Sequence, residues 1–285
     1  MAYGLKKLRL ALGKMMTKTT RLKKSVMKGL NLSKWYFDPL FLNTQHIERE
    51  QPALYVGNHT VYGVTDAPLL WQYLNQNGID IRALGDKIHF SIPVWRKLLM
   101  SQGVVEGTPE NCAALMQQGK SVLVFPGGAR EVFKHKDEAY QLIWKQRTGF
   151  ARMAIEYGYD ILPFASLGGD ECFDLVFDAG DVQNSKKAMQ MIQKLGLMEK
   201  TRGGEMIPPI PTGIAKLPIP RPERLYFSFG EAIKTTQYST SQEDLWAVRT
   251  QVAQSIESQL SELKKYREID KANDWGWLRK KLTAS

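Results

Sequence analysis

The chain has 285 residues, enough for one large α/β domain or two small ones. A hydrophobic fraction of 43% with a charged fraction of 24% excludes a mainly disordered chain. The formal charge is +10, and the whole excess sits at one end: the first 37 residues hold ten Lys and Arg and no Asp or Glu, leaving 29 of each sign in the remainder. Cys112 and Cys172 are too few for a disulfide scaffold or a zinc motif and point to a reducing compartment. The longest stretch without Asp, Glu, Lys or Arg is Gln51–Thr65, 15 residues that include Gly, Asn and His. No transmembrane helix is therefore expected, and the N-terminus lacks the apolar core of a secretory signal.

From Tyr3 to Leu32 there is no Pro, and Leu5, Leu8, Leu12, Met15, Thr19, Leu22 and Val26 recur at steps of three and four. That spacing predicts one face of a helix, with Lys7, Lys14, Arg21 and Lys28 away from the stripe. A basic amphipathic helix suits a membrane surface, and the same stripe would equally dock on its own domain. A nucleic-acid arm is not expected, because the basic residues are not interleaved with aromatic ones. Residues 1–37 are thus read as a membrane-associating helical arm, 38–263 as the folded domain and 264–285 as a basic tail carrying Trp275 and Trp277. The tail suits a lipid interface or a helix docked by its indole rings.

After Asp38-Pro39 the pattern turns to alternating strands and helices. Strands are expected at Ala53–Gly57, Ile81–Leu84, Gly103–Val105, Ser121–Phe125, Asp160–Ser166 and Leu225–Phe229. Helices are expected at Asp66–Asn77, Pro93–Ser101, from Thr108 as N-cap to Gln118, over Glu138–Tyr157, and over Ser241–Tyr266. Alternation of this kind implies an α/β fold with a mainly parallel sheet flanked by helices. Gly203–Pro222 holds six prolines and is expected as an irregular wall or a surface crossover, neither helix nor central strand.

Two segments carry residues suited to chemistry. In VGNHTVYGVTD, His59 follows the Ala53–Gly57 strand almost directly, where parallel sheets build their sites. Neutral imidazole suits a general base for a hydroxyl, and Asp66 is the candidate partner that orients it. The rival reading is that His59 bonds the backbone at a strand end while Asp66 caps the next helix. In VLVFPGGARE, the Ser121–Phe125 strand runs into Pro126, Gly127 and Gly128, then Arg130 and Glu131. The glycines allow backbone N–H groups to face an anion, and Arg130 is a candidate clamp for phosphate or carboxylate. A plain turn with Arg130 and Glu131 in solvent is the alternative. No Gly-x-Ser-x-Gly elbow, P-loop, Gly-x-Gly-x-x-Gly fingerprint or helix-borne metal motif occurs.

Taken in order, these segments resemble the glycerolipid (lysophosphatidate-type) acyltransferase superfamily from about Ala53 to Ile233. Asn58-His59 resembles its first block, Gly103–Gly107 with Glu110 its second, Phe125–Arg130 its third and Ile161-Leu162-Pro163 its fourth. The stretch from FPGGARE to DILPF is most similar to the diacylglycerol-acyltransferase-like branch, which also covers plant phytyl ester synthases. The resemblance implies an O-acyltransferase in which His59 deprotonates a lipid hydroxyl. Asn58, Gly107, Glu110, Phe125, Pro126, Gly127, Gly128, Arg130, Glu131 and Pro163 would then form the substrate site. It implies acyl-CoA or acyl carrier protein as co-substrate, no further cofactor or metal, membrane lipids as partners, and a cytoplasmic, peripheral location. Two positions depart from the family pattern. The common spacing would put the acid at position 64, which is Val64, with Asp66 the nearest acid; and Gly127 stands where many phosphate-acceptor enzymes carry Glu, which resembles enzymes of neutral acceptors. A hydrolase using the same His59, or a lipid-binding protein without activity, are the alternatives.

Overall fold

A computed structural model of the protein describes residues 26–91, 93–196, 198 and 207–273. The expected arm lies outside the described residues up to position 25; residues 26–37 are helical (α1). The Trp-containing end of the tail, 274–285, also lies outside them.

Seven strands form one sheet: β1 (Leu40–Leu42), β2 (Ala53–Gly57), β3 (Ile81–Gly85), β4 (Val105–Glu106), β5 (Ser121–Val124), β6 (Asp160–Leu167) and β9 (Tyr226–Phe229), in the order β1-β9-β6-β2-β5-β3-β4. The β6–β2–β5–β3–β4 stretch is parallel throughout, while β9 runs antiparallel to β6 and carries β1 parallel to itself at the edge. Central strands in such a sheet are covered on both faces, which is why ALYVG, SVLV and DILPFASL read as near-continuous apolar runs. Side chains alternate between two cores. Leu54, Val56 and Val122 pack with α5 (Pro109–Gln117), α7 (Gly149–Tyr157) and α10 (Gln242–Asn273). Tyr55, Leu123 and Leu162 pack on the opposite face with Phe37 of α1 and with Leu69, Leu70 and Leu74 of α2 (Asp66–Gln76).

Pro163 lies within the central strand β6, paired with Val56. The sheet tolerates it because the β9 ladder is interrupted beside it. Regular pairing begins at Phe164↔Phe229, an isolated bridge joins Ile161 to Ile233, and Gly230 N–H donates to the Pro163 carbonyl between them at 2.8 Å.

One predicted helix is largely absent. Of Glu138–Tyr157, only the α7 portion is helical; a short α6 (Ala129–Val132) precedes an irregular stretch from Phe133 to Thr148. Tyr140 and Lys145 have φ of 61° and 50°, incompatible with a continuous right-handed helix. The backbone N–H groups there are taken by buried carboxylates, Tyr140 N–H by Asp170 and Ile143 N–H by Glu131.

Between β6 and β9 the chain makes an excursion: β7 (Asp174–Phe177), α8 (Ala179–Gln183), α9 (Lys186–Lys194) and β8 (Ile210–Thr212), with β7 and β8 paired antiparallel. The proline-rich segment thus contributes a short strand to this two-stranded ribbon and none to the main sheet. The two helices between β3 and β4 are α3 (Lys87–Ser91) and α4 (Pro93–Ser101).

Candidate active site

β2 and β5 are adjacent and parallel, in register Val56↔Val124, so the segments leaving their C-terminal ends emerge side by side. That topology brings the two chemical motifs together. The His59 ring stacks on the Phe125 ring with centroids 3.9 Å apart and an angle of 11°, and Phe125 meets Phe164 of β6 edge-on at 5.7 Å. Asn58 is fully buried. Its side-chain amide donates to Ser166 O at 2.9 Å and accepts from Ser166 N at 2.8 Å, tying the end of β2 to β6.

Three successive backbone N–H groups of the His59 loop are each held by a different buried carboxylate. His59 N–H donates to Glu131 Oε2 at 3.2 Å, Thr60 N–H to Asp66 Oδ2 at 3.2 Å and Val61 N–H to Asp170 Oδ1 at 2.7 Å. Asp170 is in turn paired with buried Lys134 at 2.9 Å. Asp66 Oδ2 lies 3.8 Å from His59 Nδ1, an ion-pair distance longer than a hydrogen bond, and Nδ1 makes no hydrogen bond. Asp66 also accepts from Ala67 N–H at 2.8 Å, so the same carboxylate serves both the helix start and the histidine. Burial pushes the Asp66 carboxyl up, but the His59 ring and the Ala67 and Thr60 N–H groups outweigh it, and it titrates below the usual carboxylate range. Glu131 goes the other way: burial raises it despite the opposing charges of Lys134 and His59.

The loop reaches Asp66 across six intervening residues by turning sharply. Val61–Gly63 form a 3-10 turn, and Tyr62 and Gly63 have φ of 61° and 59°. Gly63 is packed against the imidazole: a Cβ there would fall 1.9 Å from His59 Cε1. Val64, at the position where the family commonly has its acid, is solvent-exposed.

Gly127 has an equally local reason. A Cβ on it would lie 2.1 Å from the Glu131 side chain, which folds back over the turn to reach His59 N–H. In this chain Glu131 fills the space beside position 127. Gly128 N–H donates to Phe125 O at 3.0 Å and closes the Phe125–Gly128 turn.

Arg130 is buried, ion-paired with Glu138 at 2.5 Å and bonded to the Phe133 carbonyl at 3.2 Å. An anion at Arg130 would have to displace Glu138. The guanidinium that meets the Pro126-Gly127-Gly128 turn is that of Arg147, whose Nη1 donates to Pro126 O at 2.7 Å and to Gly127 O at 2.5 Å. Arg147 has no carboxylate partner among the described residues. The sequence reading missed it because it was assigned to a long helix, where nothing marks one Arg from another.

Gly107 and Glu110 belong to the same edge of the sheet but not to the His59 cluster. Gly107 N–H donates to Gly85 O at 2.8 Å where β3 and β4 end, and Glu110 is exposed in the first turn of α5, behind the Thr108 cap. At about 4.8 Å per strand, β4 stands roughly 14 Å from β2. Pro163 is one register step inside the sheet, away from the loop end. No group of residues suited to holding a metal ion occurs among the described residues.

A family profile described as Acyltransferase matches residues 40–167, the span from β1 to the end of β6. The chain is 29% identical over 238 residues to phytyl ester synthase 2, chloroplastic, of Arabidopsis thaliana, covering 78% of this chain and 33% of that protein. It is 29% identical over 143 residues to the "DGAT1/2-independent enzyme synthesizing storage lipids" of Bos taurus, covering 47% of this chain and 42% of that protein. Over residues 40–167 the chain is similar to the acyltransferase family. Its fold agrees: the crystal structure of the 1-acyl-sn-glycerophosphate acyltransferase PlsC of Thermotoga maritima superposes with a TM-score of 0.54 over 90% of this chain and 81% of that one, at 15% identity. The chain spans only a third of the phytyl ester synthase it matches, 33% of its length. The segments that carry the resemblance lie within or just after β2, β4, β5 and β6, with Glu110 on α5.

Proposed function

We propose that this domain transfers an acyl group from a thioester, acyl-CoA or acyl carrier protein, to the hydroxyl of a lipid alcohol. The observation that carries the reading is the His59 arrangement. An imidazole only 15% exposed faces a buried carboxylate through Nδ1, on a loop whose three N–H groups are fixed by carboxylates. With Nδ1 turned to Asp66, Nε2 is the nitrogen left to meet the acceptor. It takes the hydroxyl proton as the oxygen attacks the thioester carbonyl. The tetrahedral oxyanion is stabilised by the backbone N–H groups of Gly127 and Ala129, the Gly128 N–H being taken by the Phe125 carbonyl. Collapse breaks the carbon–sulfur bond, and the leaving thiolate recovers the proton from the imidazolium, which Asp66 stabilises meanwhile.

A neutral acceptor, such as diacylglycerol or a long-chain alcohol, is supported by two features. Arg130 is committed to Glu138, and position 127 itself carries no acid where many phosphate-acceptor enzymes have Glu, the nearby Glu131 being bonded to His59 N–H and Ile143 N–H. The names of the relatives, phytyl ester synthase and storage-lipid enzyme, point the same way. Labelled acyl-CoA supplied with dispersed diacylglycerol or phytol tests the proposal. Esterified lipid should form with the native chain and be lost, by about a hundredfold or more, with His59→Ala. Full transfer by that variant would sink the reading, and release of free acid alone would favour hydrolysis.

A further inference from the structure

The apolar stripe of α9 is only partly covered by the rest of the described chain: Ala188 and Ile192 are half-buried, Met191 and Leu195 exposed. Ala188, Met191, Ile192 and Leu195 recur at steps of three and four on α9 and the residue after it, and no residue of α9 is buried. Met191 is 63% and Leu195 59% exposed, values that a globular surface seldom shows for adjacent large apolar side chains on one face. The surrounding excursion repeats the pattern. Val176 on β7, Ile210 on β8, and Leu217 and Ile219 just after it are exposed as well. Half of the twelve exposed large hydrophobics of the described chain therefore fall between β6 and β9. A structural purpose confined to the domain would have buried some of them.

Charge selects the partner. Over residues 184–196 and 207–219 there are four lysines, Lys186, Lys187, Lys194 and Lys216, and no acid; β7 adds one exposed acid, Asp174, which is paired with Arg221 at 2.8 Å. Residues 197–206, mostly outside the described part, add two bases and two acids and leave that balance unchanged. Lys187 and Lys194 stand one turn before and one turn after Met191, along the border of the apolar stripe. Long basic side chains at that border let the stem lie on apolar surface while the ammonium group reaches an anion. An apolar stripe edged by Lys is the pattern of a helix lying in a bilayer interface. The excursion also touches the site: Tyr62 of the His59 loop donates its hydroxyl to Pro209 O, one residue before β8, and its ring packs edge-on against Phe173 at 6.0 Å, one residue before β7.

We propose that α9 and the β7–β8 ribbon form a docking surface for an anionic lipid bilayer, which brings the mouth of the His59 site to the membrane. This rests on the reading above in one respect, that the acceptor resides in a bilayer. In sequence the surface is distinct from the N-terminal arm. It would hold the catalytic loop at the lipid, whereas the arm would only tether the chain.

The test labels a single introduced cysteine, Met191→Cys, with a polarity-sensitive dye in the full chain; Cys112 and Cys172 are buried and spared. The labelled protein is mixed with phosphatidylcholine–phosphatidylglycerol vesicles and, separately, with phosphatidylcholine alone. Blue-shifted emission, quenched by spin labels in the acyl region, is expected with the anionic vesicles. Adding Lys187→Glu and Lys194→Glu should weaken that response about tenfold or more. Unchanged emission while the protein floats with the vesicles overturns the proposal, as does failure to float at all. Acyl transfer to a dispersed short-chain alcohol is read on the same samples. Insertion without transfer would sink the enzymatic reading alone, and transfer without insertion the docking surface alone.

Discussion

At the scale of single residues, the site depends on how tightly the His59 loop is held. Gly63 sits in left-handed backbone and against the imidazole, so Gly63→Ala meets two obstacles at once. The strained φ costs about 1 kcal/mol, and the methyl group must push the ring away. A displacement near 1 Å at a reacting group costs on the order of a hundredfold in rate. The variant should therefore fold, with a slightly lower urea midpoint, and transfer acyl groups far more slowly; an unchanged rate would mean that His59 needs no fixed position. Asp66 carries a pH signature. Its carboxyl is held below the ordinary range in the folded state, so the stability it confers is present above the unfolded value of 3.8 and is lost as pH falls through the folded one. Asp66→Asn should cost about 1–3 kcal/mol near neutrality, by weakening bonds to Thr60 and Ala67. Urea titrations of both proteins should converge as the pH drops below that window. A constant difference down to strongly acid pH would assign the loss to packing instead.

At the scale of elements, the segment 133–148 separates what was legible from what was not. The strands ALYVG, SVLV and DILPF, the Thr108 cap and the helix end at Gln118 are local signals, and each appears where the sequence places it. The stacking of His59 on Phe125 follows from β2 and β5 being adjacent and parallel, an order of strands that the alternation of elements alone does not fix. The partnership of Arg130 was not legible, since Glu138 reaches it only when the intervening chain leaves the helical path. That departure is driven by carboxylates more than ten residues away, Glu131 for Ile143 and Asp170 for Tyr140, which no local window contains. The consequence is an exchange of roles between two arginines. A carbonyl and the N–H of the same trans peptide point in opposite directions. By drawing the Pro126 carbonyl to its guanidinium, Arg147 turns the Gly127 N–H to the other side and orients the donor that the proposed oxyanion site uses. Arg147→Met should lower kcat about tenfold or more with little change in urea midpoint, and Arg147→Lys should recover part of it. Arg130→Met should do the reverse, leaving half-buried Glu138 with only its contacts to His135 and lowering stability. Steady-state kinetics and denaturation on the same variants decide between them; equal behaviour would dissolve the distinction.

At the scale of the whole molecule, the edge of the sheet, the carboxylate-held loop and the far end of α10 form one connected body. No helix among the described residues is long and apolar enough to cross a membrane. The balanced charge of residues 38–285 belongs to a folded domain whose ion pairs are internal, and α10 shows how far they extend. Its helix continues without a break past Leu263, where a separate tail was expected to start, as far as Asn273. Asp270 accepts from Arg224 at 2.9 Å and from the Tyr226 hydroxyl at 2.6 Å on β9, while Arg267 is paired with Glu171 at 2.5 Å. Glu171 accepts from the hydroxyl of Tyr140, whose backbone N–H is held by Asp170, and Asp170 fixes Val61 two residues from His59. Removing residues 264–285 therefore strips one partner each from half-buried Arg224 and Glu171, leaving Arg224 with Asp38 and Glu171 with the Tyr140 hydroxyl. The lost hydrogen bonds and ion pairs cost about 1–3 kcal/mol in total. The shortened chain should unfold at a clearly lower urea concentration and lose acyl transfer together with stability, because the loosened Glu171–Tyr140–Asp170 chain ends at the catalytic loop. Arg267→Met, which cuts only one link, should lower the midpoint by a smaller amount in the same direction. A shortened chain with the native midpoint and native rate would show that 264–273 is a detachable tail, and that the loop is held by its three carboxylates alone.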